Sequence, residues 1–194
     1  HHGVDWKSTG KAVFTMLTDG GAQRGGSTIT QQVIKNATGN NQPTIKRKVT
    51  EIFQALRFYK NYSREETLTF YLNLVYFGNH SYGIQAAAEN YFGKDAKDLT
   101  VAEGAAIVGI TQYPYLYDPS RQGTLDSGKT FREKNKERQE TVLYKMHELG
   151  YLDDTEYEAA VNEPLVFMWD DNYVPSDSSK EKVAETAAEE FDPY

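Results

Sequence analysis

The chain has 194 residues, 39% of them hydrophobic and 13% aromatic, which is enough for one good-sized core and excludes wholesale disorder. Its formal net charge of -7 excludes the general basicity of a nucleic-acid binder, and with no cysteine it has neither a disulfide framework nor a thiol metal site. No apolar run approaches the length that spans a bilayer, no signal peptide is present and position 1 is His, so the sequence reads as a piece of a longer one. Charge is unevenly shared: from Asp170 to Tyr194 eight acids face only Lys180 and Lys182, whereas from Arg24 to Arg64 eight basic residues face a single acid, Glu51. A basic segment inside an acidic chain suits an anionic ligand, and equally a solvated basic face.

In chain order, Asp5 can cap a helix to about Thr18 with Trp6, Val13, Phe14 and Leu17 as apolar members. Ser8 and Lys11 match the S-x-x-K of penicillin-binding transpeptidases, but the other transpeptidase motifs do not follow, so the match reads as chance. A glycine-rich approach leads to a second helix from Ser27 or Thr28 to about Ala37, which sets Thr28, Gln32 and Lys35 on one face. Backbone N–H groups at such a helix start, with Lys35 nearby, make an anion site; singly, Ser27 and Thr28 read as N-caps and Lys35 as a solvated lysine.

After Pro43, the apolar positions Ile45, Val49, Ile52, Phe53, Leu56 and Tyr59 keep helical period, with Arg47 and Glu51 opposite that stripe. Ser63 to Glu66 is a capping box for a helix to about Leu74, and Thr100 to Glu103 is another, opening the helix expected to be most buried, to about Ile110. Pro114 and Pro119 bracket an expected loop. Gly123 to Thr130 fits the P-loop pattern, but the preceding residues are polar and contain Pro rather than forming a buried strand, so this too reads as coincidence. Phe131 to Leu149 is a charged amphipathic helix with Val142, Leu143, Met146 and Leu149 on its apolar side; a short helix follows from Asp153 to about Val161, then an extended segment from Pro164 to Trp169.

These residues resemble one family, the peptidoglycan glycosyltransferase module of bifunctional class A penicillin-binding proteins, glycosyltransferase family 51. The match runs from His1 to about Phe167. Gly25-Gly26-Ser27-Thr28-Ile29-Thr30-Gln31-Gln32 is similar to the family's G-G-S-T-[IL]-T-Q-Q, Arg47 to Glu51 to its R-K-x-x-E, and Tyr71 to Gly78 to its Y-L-N-x-V-Y-[FL]-G. His1 and Gly3 resemble the end of its E-D-x-x-F-x-x-H-x-G motif, so the glutamate expected as general base falls before His1 and the 194 residues by themselves are expected to bind and hardly turn over. Thr111 stands where the family often has Pro.

The resemblance implies a mainly α, lysozyme-like, two-lobed helical domain over residues 1–168, N-terminally truncated, with an acidic linker over 169–194 toward a transpeptidase domain. It implies polymerisation of lipid II into β-1,4 glycan strands with release of undecaprenyl pyrophosphate, at the outer face of the bacterial cytoplasmic membrane, under a transmembrane anchor outside these residues, and a target for moenomycin. Glu51, Lys35 and Arg47 are the implied catalytic residues; Ser27, Thr28, Gln31, Gln32, Lys48, Asn73 and His1 are the implied substrate contacts. Glu51 would orient groups around the donor or help hold a divalent ion, Mg2+ or Mn2+. The other expected partners are the lipid-linked glycan chain and the membrane surface, with no nucleic acid. Two other classes stay open: a noncatalytic module binding lipid II or anionic lipid, and a lysozyme-like muramidase or lytic transglycosylase, which would not need the basic segment.

Overall fold

In a computed structural model the structure describes residues 3–7, 10, 26–39, 42 and 44–175. The chain is mainly helical, with no strand among the described residues, and it divides into two compact units, His1–Val75 and Tyr76–Tyr194. The helix expected from Asp5 to Thr18 falls mostly outside the described residues; Trp6, Lys7 and Gly10 have helical backbone. No described helix is long and apolar enough to cross a membrane.

Beyond Gly10, the described residues of the first unit form three helices, each started by a side chain that takes up an orphan backbone N–H. Helix α1 (Ile29–Thr38) begins at Thr28, whose hydroxyl accepts from the Gln31 backbone N–H while the Gln31 side chain accepts from the Thr28 N–H. It ends at Gly39, left-handed at φ 63°, whose N–H reaches back to the Lys35 carbonyl. Helix α2 (Ile45–Asn61) is capped by Thr44, and α3 (Arg64–Leu74) by the reciprocal Ser63 and Glu66 box. Helix α1 packs on both α2 and α3, and Phe58, Tyr62 and Phe70 close the far end with ring centroids 4.4 to 5.7 Å apart. Gly3 sits where a Cβ would lie 2.6 Å from the Tyr59 Cβ, so the segment around buried Val4 runs tight against α2.

Helix α2 turns charge inward. Of its apolar stripe, Phe53 is 69% exposed and Ile45 and Val49 44% each, with Ile52, Leu56 and Tyr59 half-buried, while Lys48, Glu51 and Ala55 are its buried residues. The inward charges are tolerated because they are paired with each other and hydrogen-bonded.

In the second unit α4 (Ile84–Phe92) is followed by a 3-10 turn (Ala96–Asp98), α5 (Val101–Ile110), the short α6 (Pro114–Tyr117), α7 (Phe131–Glu148) and α8 (Asp154–Asn162). Helix α5 is the most buried, as expected, and lies on α7. The bracketed loop therefore contains a helix, which Pro114 opens. On α7 the inward positions include two polar ones: Asn135 donates to the Ala106 and Tyr117 carbonyls and Gln139 to the Ala102 carbonyl, so α7 is keyed to α5 by amides, while Leu149 is 69% exposed. The P-loop match is a turn: Leu125 N–H bonds the Lys129 carbonyl, Thr130 caps α7, and Lys129 pairs with Glu137.

Residues 164–175 fold onto this unit. Phe167 stacks between Phe92 and Trp169, Arg132 grips Asp170 through two N–H bonds, and the Tyr173 hydroxyl approaches the Phe92 carbonyl. Residues 176–194, the rest of the expected acidic linker, lie outside the described residues.

Candidate active site

Lys48, Glu51 and Gln31 form a buried polar cluster between α1 and α2, and exposed Ser27 joins it at its edge. The Lys48 Nζ lies 2.7 Å from Ser27 Oγ and 2.5 Å from Glu51 Oε1. Gln31 Nε2 donates to the same Oε1 at 3.2 Å, and Arg47 Nη1 pairs with Oε2. Arg47 is held at a second point, where its Nε donates to the Gln42 carbonyl at 2.6 Å. Glu51 is 4% exposed and Gln31 fully buried, so three donors, two of them cationic, replace the water that this carboxylate gives up.

Arg47 and Glu51 form one wall of a cavity of about 240 Å³ whose opposite wall, from α1, contains Lys35. Thr38, Gln42, Thr44 and Lys46 complete its polar rim. Lys35, Lys46 and Arg47 against Glu51 give it an excess of positive charge. Arg47 is committed to Glu51, whereas the Lys35 side chain is partly exposed and its ammonium has no hydrogen-bond or ion-pair partner among the described residues. The structure thus brings Lys35, Arg47 and Glu51 to one cavity.

The other expected contacts are dispersed. Ser27 and Thr28 line a second cavity of about 610 Å³ with Gly3, Tyr59, Arg64 and Leu68. Thr28 is already in use as the helix cap, and its hydroxyl donates to the Gly3 carbonyl at 2.7 Å. Gln31 and Lys48 are buried and turned to Glu51, which gives them an internal role in holding that carboxylate. Asn73 is exposed, donates to the Thr69 carbonyl of its own helix and lines neither cavity, and neither does half-buried Gln32. His1 lies outside the described residues. Sequence reasoning missed the Gln42 carbonyl that aims Arg47 and the Gly3 carbonyl that ties the chain start to α1; backbone acceptors carry no residue-type signal.

The donor set does not fit a divalent cation at Glu51. Both oxygens already accept from cations, and an added Mg2+ would sit beside Arg47 and Lys48. Among the described residues no group of three or more His, Asp or Glu is arranged to hold a metal ion.

Comparison with known proteins gives a family match and a set of relatives. The family model described as Transglycosylase matches residues 1–147. Penicillin-binding protein 1F of Bacillus subtilis is 43% identical over 152 residues, covering 78% of this chain and 20% of that protein. Penicillin-binding protein 1A of Pseudomonas aeruginosa is 41% identical over 165 residues, covering 85% of this chain and 19% of that protein. Among solved structures, the crystal structure of penicillin-binding protein 1A from Haemophilus influenzae aligns with a TM-score of 0.46 at 30% identity, over 67% of this chain and 18% of that one. The chain spans about one-fifth of the length of the curated relatives it matches.

Proposed function

The chain belongs to the transglycosylase family, and from that premise we propose that it is a peptidoglycan glycosyltransferase domain that joins lipid II units into β-1,4 glycan strands with release of undecaprenyl pyrophosphate. The observation that carries the reading is the cavity that Lys35, its ammonium without a partner among the described residues, lines together with Arg47. When the anomeric bond of the donor breaks, negative charge accumulates on the departing diphosphate. Cations already in place stabilise that charge more than they stabilise the intact donor, which lowers the barrier.

Lys35 supplies a charge that needs no partner exchange, and Arg47, fixed by Glu51 and the Gln42 carbonyl, presents its remaining N–H groups without first being ordered. Glu51 orients; its lone pairs are engaged by Arg47, Lys48 and Gln31, so it is not the base that takes the acceptor hydroxyl proton. The exposed Ile45, Val49 and Phe53 of α2 suit contact with a membrane surface, from which a lipid-linked donor arrives. For the whole protein this reading places the domain at the outer face of the cytoplasmic membrane beside a transpeptidase domain.

The test is lipid II polymerisation by the whole protein carrying Lys35→Ala. Removal of one charge-stabilising group of this kind costs about 10²- to 10³-fold in rate. Because Lys35 is half-exposed and unpartnered, the melting temperature should stay at the parent value. Polymerisation at the parent rate would overturn the assignment.

A further inference from the structure

Gln31 raises a question that the capping box does not answer. As the third residue of α1 it accepts from the Thr28 N–H through its carbonyl oxygen at 3.0 Å, a job that Glu does as well as Gln in boxes of this kind. Among the described residues the four other reciprocal boxes, at Glu66, Glu103, Glu133 and Glu156, all use Glu. Only Gln31 is fully buried, and its other end donates from Nε2 to Glu51 Oε1 at 3.2 Å. An amide can accept at one end and donate at the other; a carboxylate can only accept.

We propose that Gln31 is a positioning residue for Glu51, its amide linking the cap of α1 to the carboxylate that aims Arg47. The proposal rests on the reading of Glu51 and Arg47 as parts of the donor site. Its geometric content is separate: the start of α1 and the charged wall of α2 are held in register by one side chain. Ser27 reinforces the link from the same segment by accepting from Lys48, which pairs with the same Glu51 oxygen.

The groups facing Glu51 are Arg47 and Lys48 from α2, Gln31 from α1 and, across the shared cavity, Lys35 from α1. Gln31→Glu keeps the cap, removes the Nε2 donor and sets a second carboxylate against Glu51. Like charges at this separation repel, so Glu51 is displaced and no longer aims Arg47.

Two readouts test this. In the 194-residue chain, the Glu51 carboxyl carbon is followed by ¹³C NMR at neutral pH, with Glu51→Gln identifying the signal; Gln31→Glu and Gln31→Met should both displace it from the parent position. In the whole protein, Gln31→Glu, which keeps the cap, should lower kcat at least tenfold at neutral pH with KM little changed, and Gln31→Met, which removes both bonds without adding charge, should lower kcat as well.

A Glu51 carbon signal and a kcat that both stay at the parent values in Gln31→Glu would overturn the proposal and leave Gln31 as a helix cap alone. If the parent whole protein forms no glycan, the function proposed above fails, while the carbon signal still decides whether Gln31 is coupled to Glu51.

Discussion

Replacing Lys48 by Met removes a buried charge while nearly conserving volume, and the structure fixes what is left behind. The Lys48 and Glu51 side chains are 7% and 4% exposed, so neither partner can recover water in the folded state. Removing one member of a buried pair costs about 3–5 kcal/mol, because the survivor stays uncompensated. Here Arg47 remains on Oε2 and Gln31 on Oε1, which sets the cost at the lower end, about 3 kcal/mol. At about 2–4 °C per kcal/mol for a chain of this size, the melting temperature should fall by about 6–12 °C. Circular dichroism melts of the parent, Lys48→Met and Lys60→Met measure it; Lys60 lies on the same helix but is exposed, and its replacement should stay within about 0.5 kcal/mol of the parent. A fall of less than about 2 °C for Lys48→Met would show that the buried cluster contributes little and would refute the reasoning.

Other outcomes follow from particular contacts. Asn135→Leu leaves the Ala106 and Tyr117 carbonyls without their donor inside the α5 and α7 packing, and denaturant titration should register a loss of about 1–3 kcal/mol. The hydrogen bond from Arg132 holds the Asp170 carboxyl below its usual range. As pH falls, the unfolded chain therefore takes up this proton first; the contribution is intact above about pH 3.9 and is lost below it, toward the lowered folded value. Asp170→Asn should flatten the acid limb of a stability profile measured against pH. Burial, with the nearby Asp118 charge, pushes the Tyr91 phenol well above its ordinary range. The folded chain keeps this proton where the unfolded chain ionises, so stability should decline from about pH 10 upward, and Tyr91→Phe should reduce that slope.

What the sequence made legible depended on short-range chemistry. Ser63 with Glu66 and Thr100 with Glu103 announced helix starts that the structure places within one residue, because capping is settled by four consecutive residues. Lys35, Arg47 and Glu51 were grouped by motif resemblance and they do line one cavity. The inward face of α2 was not legible. A periodicity argument counts apolar residues, and Ile45, Val49 and Phe53 outvote Lys48 and Glu51 unless one knows that Gln31 and Ser27 wait on the neighbouring helix to satisfy them. For the same reason the bonds of Gln31 and Lys48 to Glu51 were not legible: the resemblance implies substrate contacts at both, and only the structure shows that both side chains turn to Glu51. Asn135 and Gln139 were missed as keys between helices because their partners are carbonyls, which every residue has.

The central claim is that Lys35 and Arg47 receive a diphosphate, and a calorimetric titration tests it most directly. A short isoprenoid diphosphate and the matching monophosphate are titrated into the parent chain, Lys35→Ala and Lys60→Ala at one fixed salt concentration. The account expects the diphosphate to bind the parent more tightly than the monophosphate, Lys35→Ala to weaken it at least tenfold, equivalent to about 1.4 kcal/mol, and Lys60→Ala to leave it unchanged. Equal diphosphate affinity in the parent and Lys35→Ala would contradict it.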